Sequence, residues 1–134
     1  MTKLLLDTDT CVYILKGLVK NLEKRLGSYA PGRVAVSAIT VAELEYGIQK
    51  STLKEQNAGA VVEFLAAIEI LPFGAAEAAE YGSLRTELET RGKPIGSLDM
   101  LIASQALACK RTLVTNNTRE FARIPGLKLE NWMQ

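Results

Sequence analysis

The chain has 134 residues, 48% of them apolar, which is enough for the core of one domain and ordinary for a soluble globular protein. No run of about 18 apolar residues is present, so no membrane-spanning helix is expected; no basic-then-apolar leader opens the chain, so cytoplasmic residence is expected. A net charge of +1 excludes nucleic-acid binding by bulk electrostatics, and the absence of histidine excludes Ser-His and Cys-His pairs, an imidazole base and histidine metal ligands.

Strand and helix patterns alternate along the chain. KLLLD, residues 3–7, predicts a short apolar strand stopped by Asp7. CVYILKGLVKNLEKRLGSYA has helical spacing with a break near Gly17, and RVAVSAI is β-branched, a second strand. A helix is expected from Thr40 through TVAELEYGIQK, and another through LKEQNAGAVVEFLAAI. EILPF predicts a strand closed by Pro72, and AAEAAEYGSLRTELETR an amphipathic helix ending at Gly92. SLDMLIASQALACK is apolar all round, so a largely buried helix. TLVT, REFARI and LKLENW predict a buried strand, a helical turn and a last strand. The pattern predicts one α/β domain over residues 1–134, with a mainly parallel sheet of about four to five strands and helices on both faces. Active sites on such sheets lie beyond the carboxyl ends of the strands. Cys11 and Cys109 match no C-x-x-C spacing and are expected to be reduced, buried thiols.

Only three aspartates occur, Asp7, Asp9 and Asp99, against twelve glutamates. Asp fills helix faces poorly, so each is expected to have a local reason. Asp7 ends the first strand, where it either makes turn chemistry or begins a site; Asp9 is placed to cap the helix that follows. Thr40-Val41-Ala42-Glu43 has the form of a capping box, which predicts Thr40 as N-cap and Glu43 reaching back to it. Ser97 is expected to cap the late helix and to leave Asp99 in its first turn, which the helix dipole favours. A carboxylate on so apolar a helix is nonetheless costly unless a cation meets it. Asn116 and Asn117 follow TLVT, either as turn residues or as a carboxamide offered to a cleft. In a parallel sheet Asp7, Glu43, Asp99 and Asn117 fall on one edge. Acids gathered there repel one another, and a hard cation such as Mg²⁺ or Mn²⁺ relieves that repulsion. Its bound water then supplies the nucleophile that histidine cannot.

The blocks LLLDTDTCVYIL, VSAITVAELEYGI, PIGSLDMLIASQALA and LVTNNTREFARIPGLKLENW, in order from residue 3 to residue 132, resemble those of PIN-domain ribonucleases, in particular the VapC-type toxins. The resemblance implies a PIN-like three-layer sandwich, Mg²⁺-dependent endoribonuclease activity with Mn²⁺ as a substitute, and a VapB-type antitoxin partner. It further implies Asp7, Glu43 and Asp99 as the first, second and third acids. Asp7 and Asp99 would ligate the metal, and Glu43 would orient or deprotonate water or ligate a second cation. Asn117 stands at the fourth place, where many family members carry Asp, and would fix a water or a phosphate oxygen. TNNTREFARIPGL is most similar to VapC toxins that cut initiator tRNA in the anticodon loop. Attack by water predicts 5′-phosphate and 3′-hydroxyl ends.

Asp7-Thr8-Asp9-Thr10 also resembles the opening of haloacid-dehalogenase-like phosphatases, with Asp7 as nucleophile and Asp9 as proton donor. Thr10 follows Asp9 directly, where that family has Gly before its Thr, and of the late acidic pair only Asp99 is available. RNA contacts are expected from Lys50, Lys54, Lys93, Arg119 and Arg123, each of which is otherwise an ordinary solvated cation. The apolar stretch AGAVVEFLAAIEI and the surroundings of Tyr46 are expected to serve homodimer contact and antitoxin binding.

Overall fold

A computed structural model of the protein describes residues 2–133. β1 (Leu4–Leu6), β2 (Val34–Ser37), β3 (Glu69–Leu71), β4 (Thr112–Val114) and β5 (Leu129–Glu130) form one sheet in the order β3-β2-β1-β4-β5. Every pairing is parallel. The helices between them are α1 (Thr8–Leu15), α2 (Leu22–Gly27), α3 (Ala38–Gln49), α4 (Lys54–Ala66), α5 (Ala75–Thr90), α6 (Ser97–Ala108) and α7 (Thr118–Phe121).

Side chains alternate across the sheet, so each central strand feeds two cores. Leu4, Leu6, Val34, Val36 and Val114 pack on one face with Cys11, Ile14, Leu44, Ile48 and Val61 from α1, α3 and α4. Leu5, Ala35 and Leu113 pack on the other with Leu84, Leu88, Met100, Ile102, Ala103 and Ala106 from α5 and α6. Burial on both faces is why these strands read as unbroken apolar runs, and the result is the three-layer α/β sandwich that the alternation predicts. The edge strands differ: Glu69 and Ile70 of β3 are exposed, and β5 is reduced to two residues of the expected LKLENW.

The chain winds outward from β1 to β2 and β3, then returns to lay β4 on the other side of β1. That reversal opens a crevice at the carboxyl ends of β1 and β4, the place where parallel α/β sheets bind ligands. Two caps there differ from expectation. α3 starts at Ala38, capped by Ser37, whose Oγ accepts from the Ile39 amide at 3.0 Å. Thr40 is therefore inside the helix and fully buried, and no Thr40–Glu43 capping box forms. The register of β2 against β1 and β3 fixes Ser37 at the strand end, so the helix begins at once. At α1 the cap is Asp7 rather than Asp9: Asp7 Oδ1 accepts from the Thr10 amide at 2.8 Å. At α6 the N-cap is Gly96, not Ser97, and Asp99 keeps its place in the first turn.

The opposite edge of the sheet is held by Arg111, 7% exposed. Its Nη1 donates to the carbonyls of Leu4 (3.2 Å) and Gly32 (3.3 Å), and its Nη2 lies 3.6 Å from Glu69. Arg111→Met leaves those carbonyls unpaired and is expected to cost about 2–4 kcal/mol in a chemical denaturation. Because the residue lies across the sheet from the crevice, turnover per folded molecule should be unchanged.

Candidate active site

Asp7 lies at the carboxyl end of β1, as the N-cap of α1, and is 3% exposed. Its amide donates to Val114 O at 3.0 Å, and the Thr10 hydroxyl donates to the same carbonyl at 3.1 Å, so the ends of β1 and β4 are tied together. Burial pushes the Asp7 carboxyl up from its ordinary range; hydrogen bonds from the Thr115 hydroxyl and from Thr10 oppose that shift, and the charge of Asp9 adds to it. Thr115, fully buried, also accepts from the Asn117 amide at 3.0 Å, linking the end of β4 to the turn before α7.

Asp99 enters from the first turn of α6. Burial first, then the charge and hydrogen bond of Glu120, then the charges of Asp7 and Asp9, push its carboxyl up to about 7. The sequence expectation missed Glu120. The Asn117 side-chain amide donates to Glu120 Oε2 at 2.6 Å, and the Gly96 amide, at the α6 N-terminus, approaches Oε1 at 3.4 Å. The fourth place of the acidic set thus holds an Asn whose amide is committed to an acid one helical turn on. A vacant acid position followed three residues later by Glu was the available signal.

Glu43 takes a separate hydrogen bond, accepting from the Thr8 hydroxyl at 2.5 Å. Its charge and that of Asp7 both bear on the buried Cys11 thiol, which burial pushes well up, so the two acids share a neighbourhood. Asp99 feels the charges of Glu120, Asp7 and Asp9, and Asp7 feels that of Asp9. Among the described residues no three acids or cysteines close around a single point at metal-binding spacing. The ion pairs among the described residues are Arg85–Glu89, Arg91–Glu87 and Arg111–Glu69; none reaches the crevice acids. The donor set is carboxylate, hydroxyl and carboxamide oxygen, uncompensated by any of those cations. That chemistry fits a hard divalent cation, for which Asp7, Glu43, Asp99 and Glu120 would be the carboxylate donors.

The titration behaviour gives a test. Asp7 and Asp99 have folded values above those of a free carboxyl, so their protonated forms stabilise the metal-free protein at acid pH. That contribution is lost as pH rises through the raised values, near 7 for Asp99. A cation bound to the ionised acids reverses the loss. Millimolar Mg²⁺ is expected to raise Tm by several degrees at about pH 8 and to leave it unchanged at about pH 5, read from paired thermal melts.

The expected basic residues have mixed roles. Lys50 Nζ lies 4.9 Å from the Tyr46 ring centroid, and Arg123 donates to Pro94 O at 3.1 Å, bracing the loop before α6. Lys54, Lys93 and Arg119 are exposed. Among the described residues no helix is long and apolar enough to cross a membrane.

This fold and acidic crevice define a class. The sequence profile of the PIN domain matches residues 4–127, and the chain belongs to the PIN-domain family. Its relatives within that family are VapC ribonucleases. "Ribonuclease VapC2" of Rickettsia felis is 48% identical over 129 residues, 96% of this chain and 96% of that protein. "tRNA(fMet)-specific endonuclease VapC" of Shigella flexneri is 37% identical over 132 residues, 98% of this chain and 99% of that one. Among solved structures, DNA-bound VapBC from Salmonella typhimurium superposes with a TM-score of 0.93 at 38% identity, covering 98% of this chain and 99% of that one. VapBC2 from Rickettsia felis bound to a promoter DNA fragment gives 0.90 at 46% identity, with 98% and 99% covered. The family sets aside the phosphatase alternative for Asp7 and Asp9. In the fold Asp9 is an exposed first-turn residue of α1.

Proposed function

We propose that this chain is a Mg²⁺-dependent endoribonuclease, with Mn²⁺ able to substitute, that hydrolyses tRNA as the toxin of a toxin–antitoxin pair. The observation that carries this is the approach of Asp99 to both Asp7 and Glu120 at the β1/β4 crevice, with no ion-pair partner among the described residues, in a chain matched almost end to end by VapC ribonucleases. Asp7 and Asp99 hold the cation, Glu120 completes the acidic wall, and Asn117 holds Glu120 in place. When bound there, the cation supplies Lewis-acid activation of water and neutralises charge at the phosphate. Glu43 accepts the proton of the attacking water. The new bond joins that oxygen to phosphorus, the P–O3′ bond breaks, O3′ takes up a proton from solvent water, and the products carry a 5′-phosphate and a 3′-hydroxyl. In a chain without histidine, the acid–base work falls to carboxylates.

The tRNA assignment, with initiator tRNA first, rests on the likeness to the Shigella enzyme. The partners are a VapB-type antitoxin and a second copy of this chain. The likeness to VapBC structures and the exposed Tyr46, Leu53 and Val62 on the α3–α4 hairpin support that reading. We place the single PIN-like domain in the cytoplasm. Purified protein incubated with total tRNA and Mg²⁺ or Mn²⁺, beside an identical reaction in chelator, tests the function. The expected result is discrete cuts with 5′-phosphate ends. Undiminished cutting in chelator, or 2′,3′-cyclic phosphate ends, would overturn it.

A further inference from the structure

Thr8 lies one peptide bond after Asp7, at the first position of α1, and reaches across to α3. Its Oγ1 is 2.5 Å from Glu43 Oε1 and 3.1 Å from Thr40 Oγ1. A threonine hydroxyl has one proton, and a carboxylate can only accept. The Thr8 proton therefore goes to Glu43, and the Thr8–Thr40 contact is filled by the Thr40 proton. Thr40 is fully buried and stands three residues before Glu43 on the same helix face, so its position is set by the core. The three side chains form a directed chain, Thr40 to Thr8 to Glu43, in which each hydroxyl orients the next oxygen.

This arrangement explains how an acid on α3 is registered against acids on β1 and α6. Among the described residues Glu43 has no ion pair, and only Thr8 hydrogen-bonds its side chain. The Thr8 backbone is continuous with the Asp7 cap, so the donor that aims Glu43 moves with Asp7. Hydroxyls that orient a ligating or proton-accepting carboxylate in this way change metal affinity and turnover without touching substrate.

We propose that Thr8, seated by Thr40, is a positioning residue that fixes the Glu43 carboxylate relative to Asp7, both for divalent-cation binding and for accepting the proton of the attacking water. The role rests on the nuclease function proposed above. Thr8→Val keeps the shape and removes the hydroxyl; Thr8→Ser keeps the hydroxyl; Thr40→Val removes the upstream donor. Mn²⁺ affinity of the metal-free proteins is measured by calorimetry, and kcat and KM for tRNA at saturating Mn²⁺. Thr8→Val is expected to weaken Mn²⁺ binding about 10-fold or more and to lower kcat about 10–100-fold with KM unchanged. Thr8→Ser should stay within about 3-fold of wild type on both, and Thr40→Val should fall between them. The role is overturned if Thr8→Val binds Mn²⁺ and turns over like wild type. It is equally overturned if Thr8→Ser is as impaired as Thr8→Val, since packing rather than the hydroxyl would then matter. Wild-type protein that binds Mn²⁺ with the expected variant pattern but leaves RNA intact would sink the nuclease function and keep the positioning role. Wild type that binds no Mn²⁺ would sink both.

Discussion

Asp7→Asn is expected to lower tRNA cleavage by about 10³-fold or more, equivalent to ~4 kcal/mol of transition-state stabilisation, while the metal-free protein becomes more stable. Both effects have one origin. Asp7 is 3% exposed and its carboxyl is pushed up by burial, so the ionised form is held at a cost that only a cation offsets. Asparagine keeps the shape. Its Oδ1 still accepts from the Thr10 amide, and its amide nitrogen can donate to the Thr115 hydroxyl oxygen. The helix cap survives and the charge disappears. At about pH 8 without metal, relief of that cost would raise Tm by a few degrees in a chain of this size. Cleavage assays and thermal melts on the same preparation check the pair. A variant that is inactive because it has unfolded would contradict the electrostatic origin.

Glu120→Gln has the next largest expected effect. The substitution keeps the shorter contact: the glutamine oxygen can accept from the Asn117 amide while its nitrogen donates to Asp99, and only the long Gly96 amide contact is given up. It removes the charge and the shared proton that, after burial, do most to raise Asp99. The Asp99 titration midpoint should fall from about 7 toward the ordinary carboxyl range, read by carboxyl-carbon NMR of the metal-free protein. Turnover should fall about 10²-fold with KM for RNA unchanged, because a wall of the cation site is lost and no RNA contact is. Unchanged turnover would remove Glu120 from the site and return the fourth position to Asn117 alone.

The contrast between Asp7 and Glu120 shows which features of the molecule sequence can reveal. Leu4–Leu6 followed at once by Asp7 is a local pattern. A strand buried on both faces must be continuously apolar, and the acid that stops it must lie at the strand end. The helix carrying Asp99 is legible for the same reason, because its apolar surround leaves a single charged residue in its first turn. Glu120 is different. Its meaning comes from contact with Gly96 and Asp99, more than twenty residues back, and nothing within REFARI announces that. The start of α3 failed for another reason. Ser37 and Thr40 both satisfy the chemistry of an N-cap, and the choice is made by pairing of Val34–Ser37 between two neighbouring strands. With Ser37 as cap, Thr40 moves into the interior, where its hydroxyl serves Thr8 instead of the helix end.

Titration of Mn²⁺ into metal-free protein at about pH 8, with wild type and Asp7→Asn side by side, tests the metal-centred account most directly. Saturable binding in wild type that disappears in Asp7→Asn is the predicted result. Equal binding by the two proteins, or none by wild type, would contradict it.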